Sequence, residues 1–230
     1  MKYNQAPNVL PAVREWSGSE GRFVLDPSTV IVCRNGKAYD QIMIIKEYFS
    51  DLLGINPKLV YSPAKSTIIF ALDDSACKGR EEGYELAAFE DSLVVTAKTT
   101  IGLLYGGITI VQSLYVDGFF PCGKAIDYPA YKVRGGMLDV ARLYMPLDKV
   151  MEITKYMAWF KMNEVHMHIN DNDLTNDLHA PIGDGQLDWE VFTNEIELYK
   201  MDTTVLVEVT GVEKQKKSLE YMAANHIFPL

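Results

Sequence analysis

Two short stretches, VRGGMLDVAR at residues 133–142 and NEVHMHINDN at residues 163–172, decide the fold of the second half of this chain. Each is of strand length, with apolar residues at Met137 and Leu138 in the first and at Val165, Met167 and Ile169 in the second, and each ends in polar residues. Between them, Val150, Ile153 and Met157 recur at three- and four-residue steps, which is the period of a helix. Two strands joined by a helix of this length form a βαβ unit, and that unit implies a parallel sheet.

The ends of these two strands carry the polar residues that interest us most. In a parallel β/α sheet, ligands bind at the carboxyl ends of the strands. Asp139 and Arg142 come at the end of the first strand, and Asn170 and Asp171 come at the end of the second. We therefore expect these four side chains near one rim. Arg134 lies early in its strand, so a role in substrate binding requires a twist or bulge at the two glycines that follow it.

The rest of the chain predicts a mixed domain before the βαβ unit. Helical periodicity indicates helices at residues 38–53 and 100–114, and β-type runs indicate strands at 22–25, 29–32, 59–61 and 66–72, with a hairpin at 84–97. We expect an α+β domain over residues 1–125 and a second domain over residues 126–230. In the second domain, residues 176–188 predict a loop, 203–209 a strand and 213–224 a helix, while Trp189 falls in an irregular segment.

Composition excludes several classes of function. The 230 residues are 48% hydrophobic and carry a net charge of -9, from 22 basic and 31 acidic side chains. Because Lys and Arg contacts to phosphate dominate nucleic-acid affinity, DNA and RNA are not expected as partners. The longest apolar stretch, at residues 101–116, is shorter than the ~20 residues that span a membrane. The amino terminus shows no secretory signal, so a cytoplasmic location is the default expectation.

The two stretches strongly resemble the start of the catalytic barrel in glycoside hydrolase family 20, the β-N-acetylhexosaminidases. The residues that match in order and spacing are Arg134, Gly135, Leu138, Asp139, Arg142, Pro146, Asn163, His166, His168 and Asp171. The preceding domain also resembles the small domain before the barrel in that family. The resemblance implies the α/β class, with an N-terminal α+β two-layer domain followed by a partial (β/α)8 TIM-type barrel.

The resemblance also implies a function. It implies retaining hydrolysis of terminal β-linked N-acetylglucosamine or N-acetylgalactosamine, in which the acetamido oxygen of the sugar is the nucleophile. Neither a metal nor an organic cofactor is expected, and the partner is a carbohydrate. Arg134 maps to the arginine that binds sugar hydroxyls, since a guanidinium offers paired donors in a fixed geometry. Asp171 maps to an acidic substrate-site position, and Asp139, Arg142, His166 and His168 are expected to support the site.

One feature of the family is missing from the sequence. The family's catalytic Asp-Glu pair follows a later strand, and no Asp is directly followed by Glu anywhere in this chain. A complete barrel typically takes ~250 residues, more than remain after residue 132. We therefore expect an incomplete barrel that can self-associate, and leave the catalytic residues unassigned. The alternative is a non-catalytic carbohydrate-binding or structural relative.

Two metal sites are weaker alternatives. His166 and His168 lie on the same face of their strand and, with Asp171, offer three ligands from one short segment. The acidic run from Asp171 to Asp177 is similar to a calcium loop, but Asn176 occupies the position where such a loop requires glycine. Histidines that pack or support the site are the favoured interpretation.

Overall fold

The computed structural model of the chain describes residues 3–34, 36–139, 145–176, 178–198 and 203–227. The chain divides into two units, Met1–Lys132 and Val133–Leu230. The division falls a few residues after the boundary expected at residue 125, because the last strand of the first unit extends through Asp127 and pairs on both sides within that unit.

The first unit is a seven-stranded mixed sheet with two long helices. Its strands are β1 (Glu15–Phe23), β2 (Val30–Cys33), β3 (Lys58–Val60), β4 (Thr67–Leu72), β5 (Tyr84–Ala88), β6 (Ser92–Ala97) and β7 (Phe120–Asp127), in the spatial order β1-β7-β5-β6-β4-β2-β3. The helices are α1 (Tyr39–Leu53) and α2 (Thr100–Asp117). The expected hairpin is present, since β5 and β6 pair antiparallel. Gly54 ends α1 in the left-handed conformation, with φ of 65°.

Helix α2 is buried over most of its length because glycines let it approach its neighbours closely. A Cβ on Gly106 would lie 2.4 Å from Val95 Cγ1, and one on Gly107 would lie 2.2 Å from Ile45 Cδ1. Thr99 caps the helix by accepting a 3.2 Å hydrogen bond from the Gly102 amide. These glycines therefore allow α2 to pack closely against its neighbours.

The second unit contains the predicted parallel sheet. Its strands are β8 (Gly135–Asp139), β9 (Glu164–Ile169) and β10 (Thr203–Val207), in the order β10-β9-β8. Its helices are α3 (Leu147–Trp159), α4 (Trp189–Leu198) and α5 (Val212–Ala224). β8 and β9 pair in parallel, as the βαβ pattern predicted, and β10 pairs in parallel with the other edge of β9. Helix α4 was not predicted, and Trp189, expected in an irregular segment, is its first residue.

The two faces of this three-stranded sheet differ. One face packs on a core of buried side chains: Leu138, Val150, Met157, Val165, Met167, Ile169, Ile182, Trp189, Met222 and Ile227. Strand alternation places His166 and His168 on the other face. There Met137 is 56% exposed and Leu206 is 45% exposed. The second face is therefore apolar in part and open, as expected for the inner face of a barrel represented by three strands.

Candidate functional site

Side chains from three adjacent strands meet at the carboxyl-terminal rim of the second sheet. Asp139 is the last residue of β8, His168 is next to last in β9, and Glu208 directly follows β10. Asp139 pairs with His168 in the sheet register, and the Glu208 amide donates to the Ile169 carbonyl at 2.8 Å. The parallel ladder thus brings together residues that are up to 69 positions apart in sequence.

These three side chains form a compact, partly buried cluster. His168 Nδ1 lies 3.0 Å from Glu208 Oε2, and one ligand atom from each of the three residues lies within 4.8 Å of the others. His168 and Glu208 are both about one-fifth exposed. The His179 ring holds the backbone of the same segment, with Nδ1 at 2.8 Å from the Glu208 carbonyl oxygen. The arrangement can bind a polar ligand or a cation at the rim.

Asn170 follows β9 at the same rim and is the least satisfied buried group described. Its side chain is 1% exposed, yet neither Nδ2 nor Oδ1 has a hydrogen-bond partner among the described residues. An unsatisfied buried polar group costs about 1–3 kcal/mol. Such a cost is commonly explained by a ligand, an ion or an ordered water.

The next residue, Asp171, is buried in the second unit and its carboxylate accepts several hydrogen bonds. It is 1% exposed and accepts hydrogen bonds from the Trp189 indole at 2.9 Å and from the amides of Asn172, Gly183 and Leu187 at 2.9, 2.9 and 3.2 Å. Its carboxylate organises the loop that returns from β9 to α4. The geometry favours a supporting role through that loop, and direct contact of Asp171 with a sugar stays a prediction.

Arg134 lies at the opposite end of β8 from Asp139. Its Nε donates to the Lys161 carbonyl at 2.8 Å, and its amide donates to Asn163 Oδ1 at 2.9 Å. These contacts tie the start of β8 to the turn before β9. Contact between Arg134 and sugar hydroxyls therefore stays a prediction, and the structure does not bring Arg134 into the rim cluster.

Some of the remaining residues named in the sequence analysis make packing or turn contacts, and others lie outside the described residues. The rings of His166 and His168 pack edge to face with centroids 5.0 Å apart. The described contacts of Asp171 go to the Trp189 indole and to three backbone amides, so they give no support to the weaker alternative in which His166, His168 and Asp171 hold a metal. Asp173 accepts hydrogen bonds from Thr175 and Asn176, which lower its carboxyl pKa. Arg142 and Asp177 lie outside the described residues.

A small cavity opens next to the rim. It has a volume of about 140 Å³ and is mainly apolar, lined by Met145, Ile169, Asn170, Leu187, Asp188, Trp189 and Phe192. An apolar cavity of ~150 Å³ accommodates a molecule as small as benzene. This space therefore has the size to hold a small substituent of a larger ligand.

Comparison with known proteins identifies the family. Residues 6–128 match glycosyl hydrolase family 20, domain 2, and residues 131–174 match the catalytic domain of the same family. The chain belongs to glycosyl hydrolase family 20. The second match ends just after β9 and Asp171, so family 20 accounts for two strands of the rim and leaves Glu208 outside the matched residues.

Family 20 relatives are longer than this chain. A β-hexosaminidase of Porphyromonas gingivalis is 25% identical over 183 residues, which cover 74% of this chain and 23% of the relative. β-Hexosaminidase subunit A2 of Dictyostelium discoideum is 32% identical over 111 residues, covering 46% and 20%. The chain thus spans about a quarter or less of these relatives.

Solved structures show the same fold. The N-acetyl-β-hexosaminidase of Streptomyces plicatus in complex with Thio-NAglucal has a TM-score of 0.67 at 19% identity, covering 89% of this chain and 46% of that one. A mutant of the Streptomyces plicatus enzyme, solved with GlcNAc as product, has a TM-score of 0.60 at 22% identity, covering 75% and 36%. The expected α+β domain followed by part of a β/α barrel is confirmed.

The described helices include no segment that is both long and apolar enough to cross a membrane.

Proposed function

We propose that this family 20 chain contributes to a glycoside hydrolase that releases terminal β-linked N-acetylhexosamine, GlcNAc or GalNAc, by a substrate-assisted retaining mechanism. The family match over both units is the observation that carries the proposal. Two further observations support it: the relatives are β-hexosaminidases, and a structural neighbour was solved with GlcNAc.

In this mechanism the acetamido oxygen attacks the anomeric carbon while an acid protonates the leaving oxygen. The chain supplies the rim at the ends of β8 and β9, where a barrel binds its substrate. Arg134 is proposed to reach sugar hydroxyls, and Asp171 to shape the site through its loop. Asp139 and His168 are proposed to support the rim on the open face of the three-stranded sheet.

A second candidate is carbohydrate binding without catalysis. The observation that favours it is the lack of an adjacent Asp-Glu pair in the sequence. Under this proposal the rim recognises the sugar and the chain does not protonate the leaving oxygen.

Two measurements on the purified 230-residue chain separate the two proposals. The first is hydrolysis of a chromogenic β-N-acetylglucosaminide, and the second is a binding titration with GlcNAc. Turnover that Arg134→Ala abolishes supports catalysis within the chain, with an acid such as Glu190 or Glu208 completing the site. Saturable GlcNAc binding without turnover supports the second candidate. Neither binding nor turnover from a folded chain, shown by circular dichroism, contradicts both.

A further inference from the structure

We propose that Asp139, His168 and Glu208 form a binding site for a divalent first-row transition-metal ion, with the side-chain oxygen of Asn170 as a fourth ligand. The proposal concerns the same rim as the proposed function, but it is tested by metal binding, which needs no glycan. It depends on the geometry of the rim cluster and on the unsatisfied amide beside it.

The three donors are already close to the spacing that an ion requires. Ligand atoms of a tetrahedral zinc site, with bonds of about 2.1 Å, lie about 3.4 Å apart. His168 Nδ1 and Glu208 Oε2 are separated by 3.0 Å, and Asp139 completes a group whose ligand atoms all lie within 4.8 Å. Small side-chain rotations therefore suffice to surround one ion.

The unsatisfied side chain of Asn170 is a second observation that supports an ion at the rim. The core-facing positions of this segment are Ile169 and Asp171, which contacts Trp189. Continued strand alternation therefore predicts that Asn170 faces the same side as His168. In the register, Val207 pairs with Ile169, so Glu208 is next to Asn170. An ion at the rim would give the buried Oδ1 of Asn170 the partner that it lacks among the described residues.

The donor set indicates the class of ion. One imidazole nitrogen with carboxylate and amide oxygens suits zinc, manganese or iron(II), whereas magnesium and calcium prefer oxygen ligands alone. Each of three strands contributes one ligand, so the ion would join the carboxyl ends of β8, β9 and β10. We therefore expect it to stabilise the folded chain as well as to bind.

The test is calorimetric titration of the 230-residue chain with ZnCl2, together with thermal unfolding with and without zinc. We expect one saturable site and a higher Tm with zinc. His168→Gln and Asp139→Asn should weaken binding by at least tenfold and remove the Tm shift. His166→Gln is the matched control, because His166 is on the same face but outside the cluster, and it should change affinity by less than twofold.

Asn170→Asp adds a carboxylate at the proposed fourth ligand and should bind zinc more tightly than the parent chain. Cobalt(II) provides a spectroscopic check, since coordination by nitrogen and oxygen gives no thiolate charge-transfer band. The proposal is overturned if zinc shows no saturable binding, if His166→Gln weakens binding as much as His168→Gln does, or if the cobalt complex shows a thiolate band. Circular dichroism of each variant establishes that it is folded.

Discussion

The Trp189 indole donates a 2.9 Å hydrogen bond to Oδ2 of Asp171, 18 residues earlier in the chain. Three backbone amides, those of Asn172, Gly183 and Leu187, reach the same carboxylate. A single buried side chain thus fixes both the loop after β9 and the start of α4. This contact bears on the rim, because Leu187 and Trp189 line the same small cavity as Asn170.

Asp171→Asn should destabilise the chain by at least about 2 kcal/mol, since a buried acceptor of several hydrogen bonds is replaced by a group that brings two donors. Urea unfolding followed by tryptophan fluorescence measures the change. Asp173→Asn is the matched control, because Asp173 is only partly buried and its described hydrogen bonds go to Thr175 and Asn176 in its own turn, so it should lower the midpoint clearly less than Asp171→Asn. Equal effects of the two variants would contradict the role given to Asp171.

Gly106→Ala should destabilise the first unit by about 1–3 kcal/mol through overpacking, despite the higher helix propensity of alanine. The added Cβ would lie 2.4 Å from Val95 Cγ1 and 3.1 Å from Tyr84 Cδ2, both in the core. Gly36→Ala is the control, since a Cβ at Gly36 meets nothing within 4 Å. Thermal unfolding that ranks Gly36→Ala as the more damaging change would refute this account of α2.

Tyr84 should make the fold sensitive to alkaline pH. Its hydroxyl donates to Asp127 Oδ2 at 2.8 Å, and burial, reinforced by the Asp127 charge, raises the Tyr84 pKa well above its ordinary value. An unfolded tyrosine ionises near pH 10, so this stabilisation is complete below about pH 10 and is lost as the pH rises further.

The stability of the parent chain should therefore fall more steeply above pH 10 than that of Tyr84→Phe, by up to about 1.4 kcal/mol per pH unit. Urea unfolding at pH 9, 10 and 11 measures both slopes. Tyr61→Phe is the control, because Tyr61 is fully exposed. Parallel pH profiles for the parent chain and Tyr84→Phe would count against a raised Tyr84 pKa.

The open face of the second sheet should promote self-association. Met137 and Leu206 project from it and are about half exposed. Sedimentation velocity at increasing concentration should show a growing dimer fraction, which Met137→Lys reduces. Tyr61→Lys, a change at an exposed aromatic of the first unit, should have no effect. A parent chain that stays monomeric at all concentrations would disprove this expectation.

Local patterns were enough to predict most of the fold. The helical period predicted α1, α2, α3 and α5, and the apolar runs predicted both strands of the βαβ unit. Residues 15–21 of β1 were not predicted because Ser17, Gly18 and Gly21 have low strand propensity, and pairing with β7, about a hundred residues away, stabilises the strand. Helix α4 was also missed because a contact between distant residues fixes its start, namely the hydrogen bond from Trp189 to Asp171.

The candidate site was predictable only in part. Asp139, Asn170 and Asp171 follow predicted strands, so the rule for parallel sheets places them near one rim. Glu208 reaches the rim through the pairing of β10 with β9, which no local signal in the sequence specifies. Arg134 was expected to contact the sugar, but the structure places it just before β8, at the end of that strand opposite to the rim.

The most direct test of the central claim is a titration of the isotope-labelled 230-residue chain with GlcNAc, followed by amide chemical shifts. We predict saturable shifts concentrated at Asp139, Asn170 and Glu208, with the first unit unaffected. Saturable shifts confined to the first unit, or no shifts at any GlcNAc concentration, would contradict a sugar site at the rim of the family 20 barrel strands.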